Sequence, residues 1–368
     1  MLDTGYWILD AGYWMLDARK RMKDRGSNIK HRASIVIIGF LGFLCLFGLM
    51  GCGEDEEEIS ELPEVARAAY IVNGSAQTIS VFDIETSEVK NDVLTVGKWP
   101  ADIKIWGDKA YVVNTGDNNV QIIDLESLTD VGVIDIGDGT LPEKIGFVSD
   151  DKAYVSCNGT ESVSVVDLAA RQVTKTIEVG VAPWGVAVAG QKVYVCNTAY
   201  DLASNSYGDG TVSVIDSSTD EIVKTVNVEI NPTEIVAFGD RIMVQCTGNY
   251  ADITGKLCII DAAADSVVQT IDLDTAPSGI AASPKGIAYI TSFGGLIPVE
   301  IDSGSIAAPL VDFAGGSGLA FDKDGNGYIC VPDWASGGGD KLLVMDASEN
   351  LAGTYSVGGG ASIIALRE

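Results

Sequence analysis

The sequence predicts an all-β protein, a seven-bladed β-propeller of four-stranded blades that is closed by its C-terminal strand. A short apolar segment ending in aspartate recurs seven times at intervals of 41 to 49 residues; the aspartates are Asp83, Asp124, Asp167, Asp216, Asp261, Asp302 and Asp346. Such a period, with several short β-branched runs in each repeat, is typical of a propeller blade. The abundant Gly, Thr and Val and the lack of a long stripe of period 3.6 exclude a two-helix repeat.

Each repeat divides into four strands, named A to D from the central channel outward. In the fourth repeat we predict them at 185–189, 192–197, 211–216 and 222–228, separated by turn residues. A short carboxylate at a strand end can accept backbone hydrogen bonds in an Asx-turn, and identical chemistry seven times around a ring serves no reaction. The repeated aspartates are therefore predicted to be structural.

The order of the strands predicts how the ring closes. The folded chain begins at a strand B near Ala69, and the seventh strand A is the C-terminal segment Ser362 to Leu366. We expect that segment to pair with Ala69 to Asn73, because this pairing removes a free edge that would invite aggregation.

Four regions follow from the sequence, and the first three precede the fold. Residues 1–21 include a period-seven repeat and are either a low-complexity extension or the result of a mis-assigned start, with Met22 as the initiator. Residues 22–51 have the pattern of a signal peptide, with a basic segment and a sixteen-residue apolar run from Ile35 to Met50. An uncleaved membrane anchor is the alternative, although a spanning helix needs roughly 20 residues.

The signal peptide ends before Cys52 in a segment that resembles the lipobox of bacterial lipoproteins. This resemblance implies lipidation of Cys52 and an anchor in the outer membrane, at the cell surface or the periplasmic face. Residues 52–63 form an acidic tether, because like charges repel and nothing apolar can collapse. The tether resembles the export tag of some Bacteroidetes surface lipoproteins, and a plain linker is the alternative. Residues 64–368 form the predicted propeller.

Composition excludes several classes of function. The formal net charge of −28 argues against a nucleic-acid partner, since phosphate binding relies on Lys and Arg. The single histidine, His31, lies in the leader, so the mature chain has no Ser-His-Asp triad and no histidine-ligated metal or haem. The sequence contains no Cys-x-x-Cys motif, which argues against covalently attached c-type haem and thioredoxin-like chemistry. We therefore predict no enzymatic activity, no cofactor and no metal site.

Two further patterns have structural interpretations. Five cysteines fall in strands B or C and are expected to be buried, and two of them, Cys246 and Cys258, flank one loop and could form a disulfide; the other three are Cys157, Cys196 and Cys330. The segment Asp322 to Tyr328 mimics the spacing of a calcium loop, but its place between strands A and B favours a turn.

One face of the propeller is predicted to bind a ligand. The D–A and B–C loops emerge on the same face, and in repeats four, five and seven they are long and rich in aromatic residues. The candidate ligand-binding residues are Trp99, Trp184, Tyr200, Tyr207, Tyr250, Phe293 and Trp334. For Trp99 and Trp184, filling a gap between blades is an equal alternative, whereas Trp106 ends an inner strand and is expected in the core.

The repeat resembles the YVTN-repeat, YncE-like β-propellers over about residues 64–368. The patterns Tyr-Val-x-Asn, Val-x-Val-Ile-Asp and Val-Gly-x-x-Pro follow one another in order, with Tyr194-Val-Cys-Asn197 as one example. Repeats six and seven depart from it, since Gly318 and Ala361 replace the proline-bearing segment. Members of this family are mostly non-enzymatic or uncharacterised, and the resemblance includes surface lipoproteins that capture cobalamin for an outer-membrane transporter.

Three functions are compatible with these observations. The first is non-enzymatic capture of a small-molecule ligand, or interaction with an envelope protein such as an outer-membrane transporter. The second is a lactonase-like hydrolase, which needs carboxylates or a metal in the central channel. The third is a protein–protein scaffold in the cell envelope.

Overall fold

The computed structural model describes residues 67–333 and 339–368. In chain order the first strands are β1 (Ala68–Asn73), β2 (Thr78–Asp83), β3 (Val89–Thr95), β4 (Pro100–Trp106), β5 (Lys109–Asn114), β6 (Asn119–Asp124), β7 (Thr129–Asp135), β8 (Pro142–Ser149), β9 (Lys152–Cys157), β10 (Ser162–Asp167), β11 (Gln172–Glu178), β12 (Pro183–Ala189), β13 (Lys192–Asn197), β14 (Tyr200–Asp201) and β15 (Ser206–Tyr207). The remaining strands are β16 (Thr211–Asp216), β17 (Glu221–Asn227), β18 (Pro232–Phe238), β19 (Arg241–Cys246), β20 (Lys256–Asp261), β21 (Ser266–Asp272), β22 (Pro277–Ala282), β23 (Ile287–Ser292), β24 (Gly295–Glu300), β25 (Leu319–Phe321), β26 (Gly327–Val331), β27 (Lys341–Met345), β28 (Leu351–Ser356) and β29 (Ala361–Arg367). Three short 3-10 helices cover Thr115–Asp117, Asn158–Thr160 and Val311–Phe313.

These strands form seven antiparallel blades, which confirms the predicted β-propeller. Blade 1 has the strand order β29-β1-β2-β3, and blades 2 and 3 contain β4 to β7 and β8 to β11. Blade 4 contains β12, β13, β16 and β17, with the hairpin β14-β15 inserted in its B–C loop. Blades 5, 6 and 7 contain β18 to β21, β22 to β24 and β25 to β28.

Blade 6 differs from the predicted four-stranded pattern at its outer edge. Its sheet has three strands, and the segment that follows β24 joins it only through the isolated bridges Val299–Ile306 and Leu296–Leu310. Pro298 of β24 accepts the N–H of Ala307 at 3.0 Å but has no backbone N–H to donate in return. A continuous outer ladder is therefore replaced by two separate contacts.

The ring closes as the sequence predicts. Strand β29 pairs antiparallel with β1, so that Leu366 lies opposite Ala69 and Ile364 lies opposite Ile71. The innermost strand of blade 1 thus comes from the C-terminus and the other three from the start of the fold. Closure covers the edge of β1 that would otherwise be unpaired.

Strand boundaries in blade 4 follow the prediction closely. β13 and β16 have the predicted bounds, β17 is displaced by one residue, and β12 begins at Pro183, two residues before the predicted start. A proline can begin a strand because its missing N–H is not needed there.

Six of the seven repeated aspartates cap the C–D turn as predicted. Asp83 Oδ1, for example, accepts hydrogen bonds from the backbone N–H groups of Glu85 and Thr86 at 2.8 and 3.0 Å. Equivalent bonds form at Asp124, Asp167, Asp216, Asp261 and Asp346. Within the described residues none is made by Asp302, because blade 6 lacks the regular C–D hairpin.

Apolar side chains of strands B and C fill the spaces between blades, while the outer strands D are largely exposed. Trp106 stacks on Phe147 with ring centroids 5.2 Å apart, so its predicted place in the core is confirmed. The five cysteines of the propeller are buried free thiols, and the suggested disulfide between Cys246 and Cys258 is absent.

The segment after β25 is a turn, as predicted, and Asp322 organises it. This fully buried carboxylate accepts bonds from the backbone N–H groups of Asp324 and Asn326 and from the hydroxyl of Tyr328. Arg67 Nη2 lies 3.3 Å from Asp322 Oδ2. The carboxylate is thus saturated by protein donors.

The described part of the chain contains no helix long and apolar enough to cross a bilayer. The predicted extension, signal peptide, tether and Cys52 all lie in residues 1–66, outside the described residues.

Candidate functional site

The D–A and B–C loops lie together on one face of the propeller, which we call the mouth face. In four successive blades the first N–H of the B–C loop donates to the carbonyl of the residue before the proline of strand A. The pairs are Thr115–Trp99, Asn158–Leu141, Thr198–Ala182 and Thr247–Asn231, at 2.8 to 3.2 Å. The predicted grouping of the long loops on one face is therefore observed.

The residue before each of these prolines has a left-handed backbone, although none is glycine. The φ angles are 50° at Trp99, 47° at Leu141, 50° at Ala182 and 59° at Asn231. A following proline disfavours the right-handed helical conformation, and a non-glycine residue in the left-handed region costs about 1–2 kcal/mol. The carbonyl bond to the neighbouring loop offsets that cost, so the repeated strain has a structural function.

Two tyrosines of the mouth face come from the hairpin β14-β15 of blade 4. The rings of Tyr200 and Tyr207 are 4.9 Å apart between centroids and tilted by 46°. The Tyr200 hydroxyl donates to Asn205 Oδ1 at 2.7 Å, and Asp201 caps the tip by accepting the N–H of Ala203. The turn thus fixes the Tyr200 ring beside its partner.

A third tyrosine, Tyr250, approaches them from the B–C loop of blade 5. Asn249 Oδ1 holds this loop by accepting three successive backbone N–H groups, those of residues 251 to 253. The Tyr250 side chain is 51% exposed, and its hydroxyl contacts Thr247 and Asn231. Burial of the hydroxyl raises the pKa of Tyr250.

Tyr200, Tyr207 and Tyr250 form one tyrosine cluster, in which Tyr207 and Tyr250 contact the buried amide of Asn231. Burial, followed by the nearby Tyr250 and Tyr200, raises the pKa of Tyr207 to about 12, although a hydrogen bond with Asn231 opposes the shift. Asn231 also donates to the carbonyl of Gly248 at 3.1 Å. Side chains from two blades therefore meet at one amide.

The other four candidate residues do not join this cluster. Trp99 is half exposed and lies against Gly116, and Trp184 is partly exposed at the start of β12. Phe293 is 89% exposed on the B–C turn of blade 6. No ring contact links these three to the tyrosines within the described residues, and Trp334 lies outside them.

The inner strands carry a charged group that the sequence analysis missed, the channel ion cluster of Asp102, Lys144, Glu234 and Glu143. Lys144 Nζ lies 2.9 Å from Glu234 Oε1, although the two residues belong to blades 3 and 5. Burial lowers the pKa of Lys144, but the carboxylates of Glu234, Asp102 and Glu143 outweigh it and raise the pKa overall. Three acidic side chains thus surround one ammonium group.

A glycine of blade 4 packs tightly between the partners of this ion pair. A Cβ at Gly185 would lie 2.8 Å from the carbonyl oxygen of Thr233 in blade 5. Only glycine permits that approach of the two inner strands without a shift. Asp102, Lys144, Gly185 and Glu234 all stand two residues after a repeated proline, which is the signal that a comparison of the repeats would have revealed.

The tyrosine cluster and the channel ion cluster are connected through one segment. Asn231 and Glu234 lie three residues apart, and between them the Thr233 hydroxyl bonds to the Thr247 hydroxyl at 2.7 Å. The tyrosine cluster offers aromatic faces and hydroxyls on the mouth-face loops, and the channel ion cluster offers acidic groups on the inner strands. Among the described residues no group of three or more His, Cys, Asp or Glu side chains has a geometry that could hold a metal ion.

Comparison with known proteins identifies the fold and does not identify a family. No protein-family profile matches the chain, and no curated protein sequence matches it. The YVTN-repeat resemblance is therefore supported only at the level of a seven-bladed propeller.

Several solved structures share the fold. Hydrazine synthase of Kuenenia stuttgartiensis matches with a TM-score of 0.63 and 19% identity, over 72% of this chain and 89% of that chain. A quinonprotein alcohol dehydrogenase-like protein of Bacteroides thetaiotaomicron matches with a TM-score of 0.63 and 15% identity, over 83% and 79%. A functionally unknown protein of Desulfotomaculum acetoxidans matches with a TM-score of 0.62 and 15% identity, over 81% and 98%. These neighbours differ in function, so the likeness defines the class as a β-propeller and nothing finer.

Proposed function

We propose that the protein is a non-enzymatic binding protein that captures a ligand on the mouth face, between blades 4 and 5. The observation that carries this proposal is the convergence of Tyr207 and Tyr250 on the buried amide of Asn231, with the Tyr200 ring packed against Tyr207. Tyrosine offers a large contact area and a polar hydroxyl at a low entropy cost, which suits a binding surface. Loops on a rigid scaffold are a common place for such a surface.

The chemistry of the tyrosine cluster and the channel ion cluster restricts the chemical class of the ligand. Phenol rings stack on planar or sugar-like faces, while the hydroxyls and the Asn231 amide supply hydrogen bonds. The channel ion cluster beneath them has three carboxylates against one ammonium group. This charge disfavours an anion and favours a neutral or cationic ligand. Cobalamin, which the family resemblance suggests, is the first candidate to test.

We further propose membership of the YVTN-repeat propellers and attachment to the outer membrane through a lipid on Cys52. The apolar run that ends before Cys52 and the acidic residues after it support this location. An envelope protein such as an outer-membrane transporter is the proposed partner that receives the ligand. Metabolic labelling with a fatty acid, lost in Cys52→Ala, would test the anchor.

Thermal unfolding in the presence of candidate ligands tests the capture function. A ligand at a hundred times its dissociation constant stabilises the fold by about 2.7 kcal/mol, which gives a clear rise in melting temperature. Tyr250→Ala should weaken binding at least tenfold, since an anchoring aromatic side chain contributes about 2 kcal/mol or more. Isothermal titration would give the affinities.

Val268→Ala is the matched control, because Val268 is also about half exposed but lies on the outer strand β21 of blade 5. It should leave the affinity unchanged. Binding that survives Tyr250→Ala at full strength would refute the site. If no ligand stabilises the protein while envelope proteins cross-link to the rim, the scaffold function would replace the capture function.

One observation favours the hydrolase alternative, namely the carboxylates Asp102, Glu143 and Glu234 around the channel. Lys144 lies among these carboxylates and neutralises part of their charge. A lactonase-like activity that requires added calcium and is lost in Glu234→Ala would establish that function. If the wild-type protein shows no such activity, ligand capture remains the better-supported function.

A further inference from the structure

On the face opposite the mouth, neighbouring blades are joined by a repeated contact that we call the tyrosine clasp. Tyr194 of β13 donates its hydroxyl to Asp265 Oδ1 of the next blade at 2.7 Å, and Lys192 Nζ lies 2.6 Å from Asp265 Oδ2. The same contact joins blades 3 and 4 through Tyr154, Lys152 and Asp220. One carboxylate on a C–D turn thus accepts from a tyrosine and a lysine on a strand B.

Between blades 2 and 3 this clasp lacks its carboxylate. Lys109 and Tyr111 of β5 occupy the lysine and tyrosine positions. Arg171 occupies the aspartate position, four residues after Asp167, as Asp220 follows Asp216. Its φ of 53° matches the 56° of Asp220, so the backbone of the turn is the same while the charge is reversed.

An open cleft of about 270 Å³ lies where the carboxylate is missing. Tyr111 lines this cleft together with Lys109, Arg171, Leu168 and Asp150. Tyr111 is only 6% exposed, and within the described residues its hydroxyl makes no hydrogen bond to the protein. This hydroxyl borders the open cleft, so it is free to donate to an acceptor that enters the cleft.

The cations of the cleft have limited partners in the protein. Lys109 Nζ lies 2.6 Å from Asp108 Oδ1, and Arg171 Nη1 donates to the carbonyl of Val131 at 2.6 Å. Asp150 accepts the indole N–H of Trp106 at 3.1 Å. A lysine has three N–H donors and an arginine has five, so both cations keep donors for a further acceptor.

We propose that this cleft binds a small carboxylate ligand, which takes the place of the missing aspartate. The ligand would accept hydrogen bonds from the Tyr111 hydroxyl and from Lys109 or Arg171, as Asp265 does from Tyr194 and Lys192. Charge-assisted bonds of this kind are about twice as strong as neutral ones. The site is separate from the mouth face and independent of the capture function, because the A–B and C–D turns that frame it lie on the opposite face.

Calorimetric titration with succinate tests the proposal, with sodium chloride at matched ionic strength as the reference and inorganic phosphate as a second probe. Tyr111→Phe should weaken succinate binding about tenfold by removing the neutral donor. Arg171→Asp should abolish binding, because an internal carboxylate would then complete the clasp. Tyr154→Phe makes the same chemical change at an occupied clasp and should leave succinate binding unchanged.

Arg171→Asp should also raise the melting temperature without succinate, a readout that does not depend on the ligand. If that variant fails to fold, the succinate affinities of Tyr111→Phe and Tyr154→Phe are compared, and this comparison is sufficient to test the proposal. Succinate binding that is equal in wild type, Tyr111→Phe and Arg171→Asp would overturn the proposal. Phosphate or chloride binding as tightly as succinate would overturn the preference for a carboxylate.

Discussion

At the scale of single residues, repeated side chains perform the same local task in successive blades. Asp216 accepts the N–H of Ser218 at 2.8 Å, and its hydrogen bonds from the Ser218 side chain and backbone hold the pKa of Asp216 below its ordinary value. The hydroxyls of Tyr154 and Tyr194 donate to aspartates of the next blade, and burial together with that bond raises their pKa. The fold thus favours ionised turn aspartates and neutral clasp tyrosines.

The first prediction concerns alkaline pH. A tyrosine whose folded pKa lies above its unfolded value of about 10 stabilises the fold fully below that pH. Its contribution is lost as the pH rises toward the folded value, which is about 12 for Tyr207. Stability should therefore fall between about pH 10 and 12, and phenolate absorbance should rise together with unfolding. Gradual ionisation of most tyrosines near pH 10 in a folded protein would contradict the prediction.

At the scale of elements, the innermost strands determine how closely the blades approach the axis. Strand β12 runs against β18 so closely that Gly185 faces the carbonyl of Thr233 and the side chain of Ile235. The same approach recurs where Gly279 faces the carbonyl of Ser317. The ion pair between Lys144 and Glu234 extends past this glycine from blade 3 to blade 5.

The second prediction follows from this packing. Gly185→Ala should destabilise the protein by about 1–3 kcal/mol, because the new Cβ would overlap backbone atoms that cannot rotate away. Gly359→Ala is the control, since a Cβ there meets no atom within 4 Å. Urea unfolding of both variants measures the difference. Equal midpoints would show that the inner strands separate at little cost.

At the scale of the whole molecule, closure joins the two ends of the propeller. The C-terminal strand β29 completes blade 1, and Asp340 of blade 7 supports it by accepting the N–H groups of Gly360 and Ala361. Residues far apart in sequence thereby share one core, in which Ile71 and Ile364 pack with Tyr328. Such pairing holds the first and last strands of the propeller in one sheet.

The third prediction tests closure. Ile364→Ala should cost about 2–5 kcal/mol, as expected for a large buried side chain in a packed core. Val223→Ala on the outer strand of blade 4 removes a side chain that is 52% exposed and should change stability by less than about 0.5 kcal/mol. Denaturant unfolding compares the two variants. A small loss of unfolding free energy in Ile364→Ala would show that the pairing of β29 with β1 contributes little to stability.

Much of the fold could be predicted from the repeat, because each blade presents the same alternation of apolar strands and turn residues. The paired strands of blade 4 and the closing strand followed from this pattern. Blade 6 departed from it at the outer edge of β24, where Pro298 has no N–H to donate to the following segment. The sequence also placed the tyrosines of the long loops on one face, without showing which of them would meet.

The sequence by itself determined the number of blades, the closing strand and the face that carries the long loops, because these depend on periodicity and turn chemistry within each repeat. Only the tertiary structure decided that Tyr207 and Tyr250 share Asn231, that Lys144 reaches Glu234, and that Tyr111 faces a cleft without its aspartate. Each of these contacts joins different blades, and the distances between blades are set by packing around the ring.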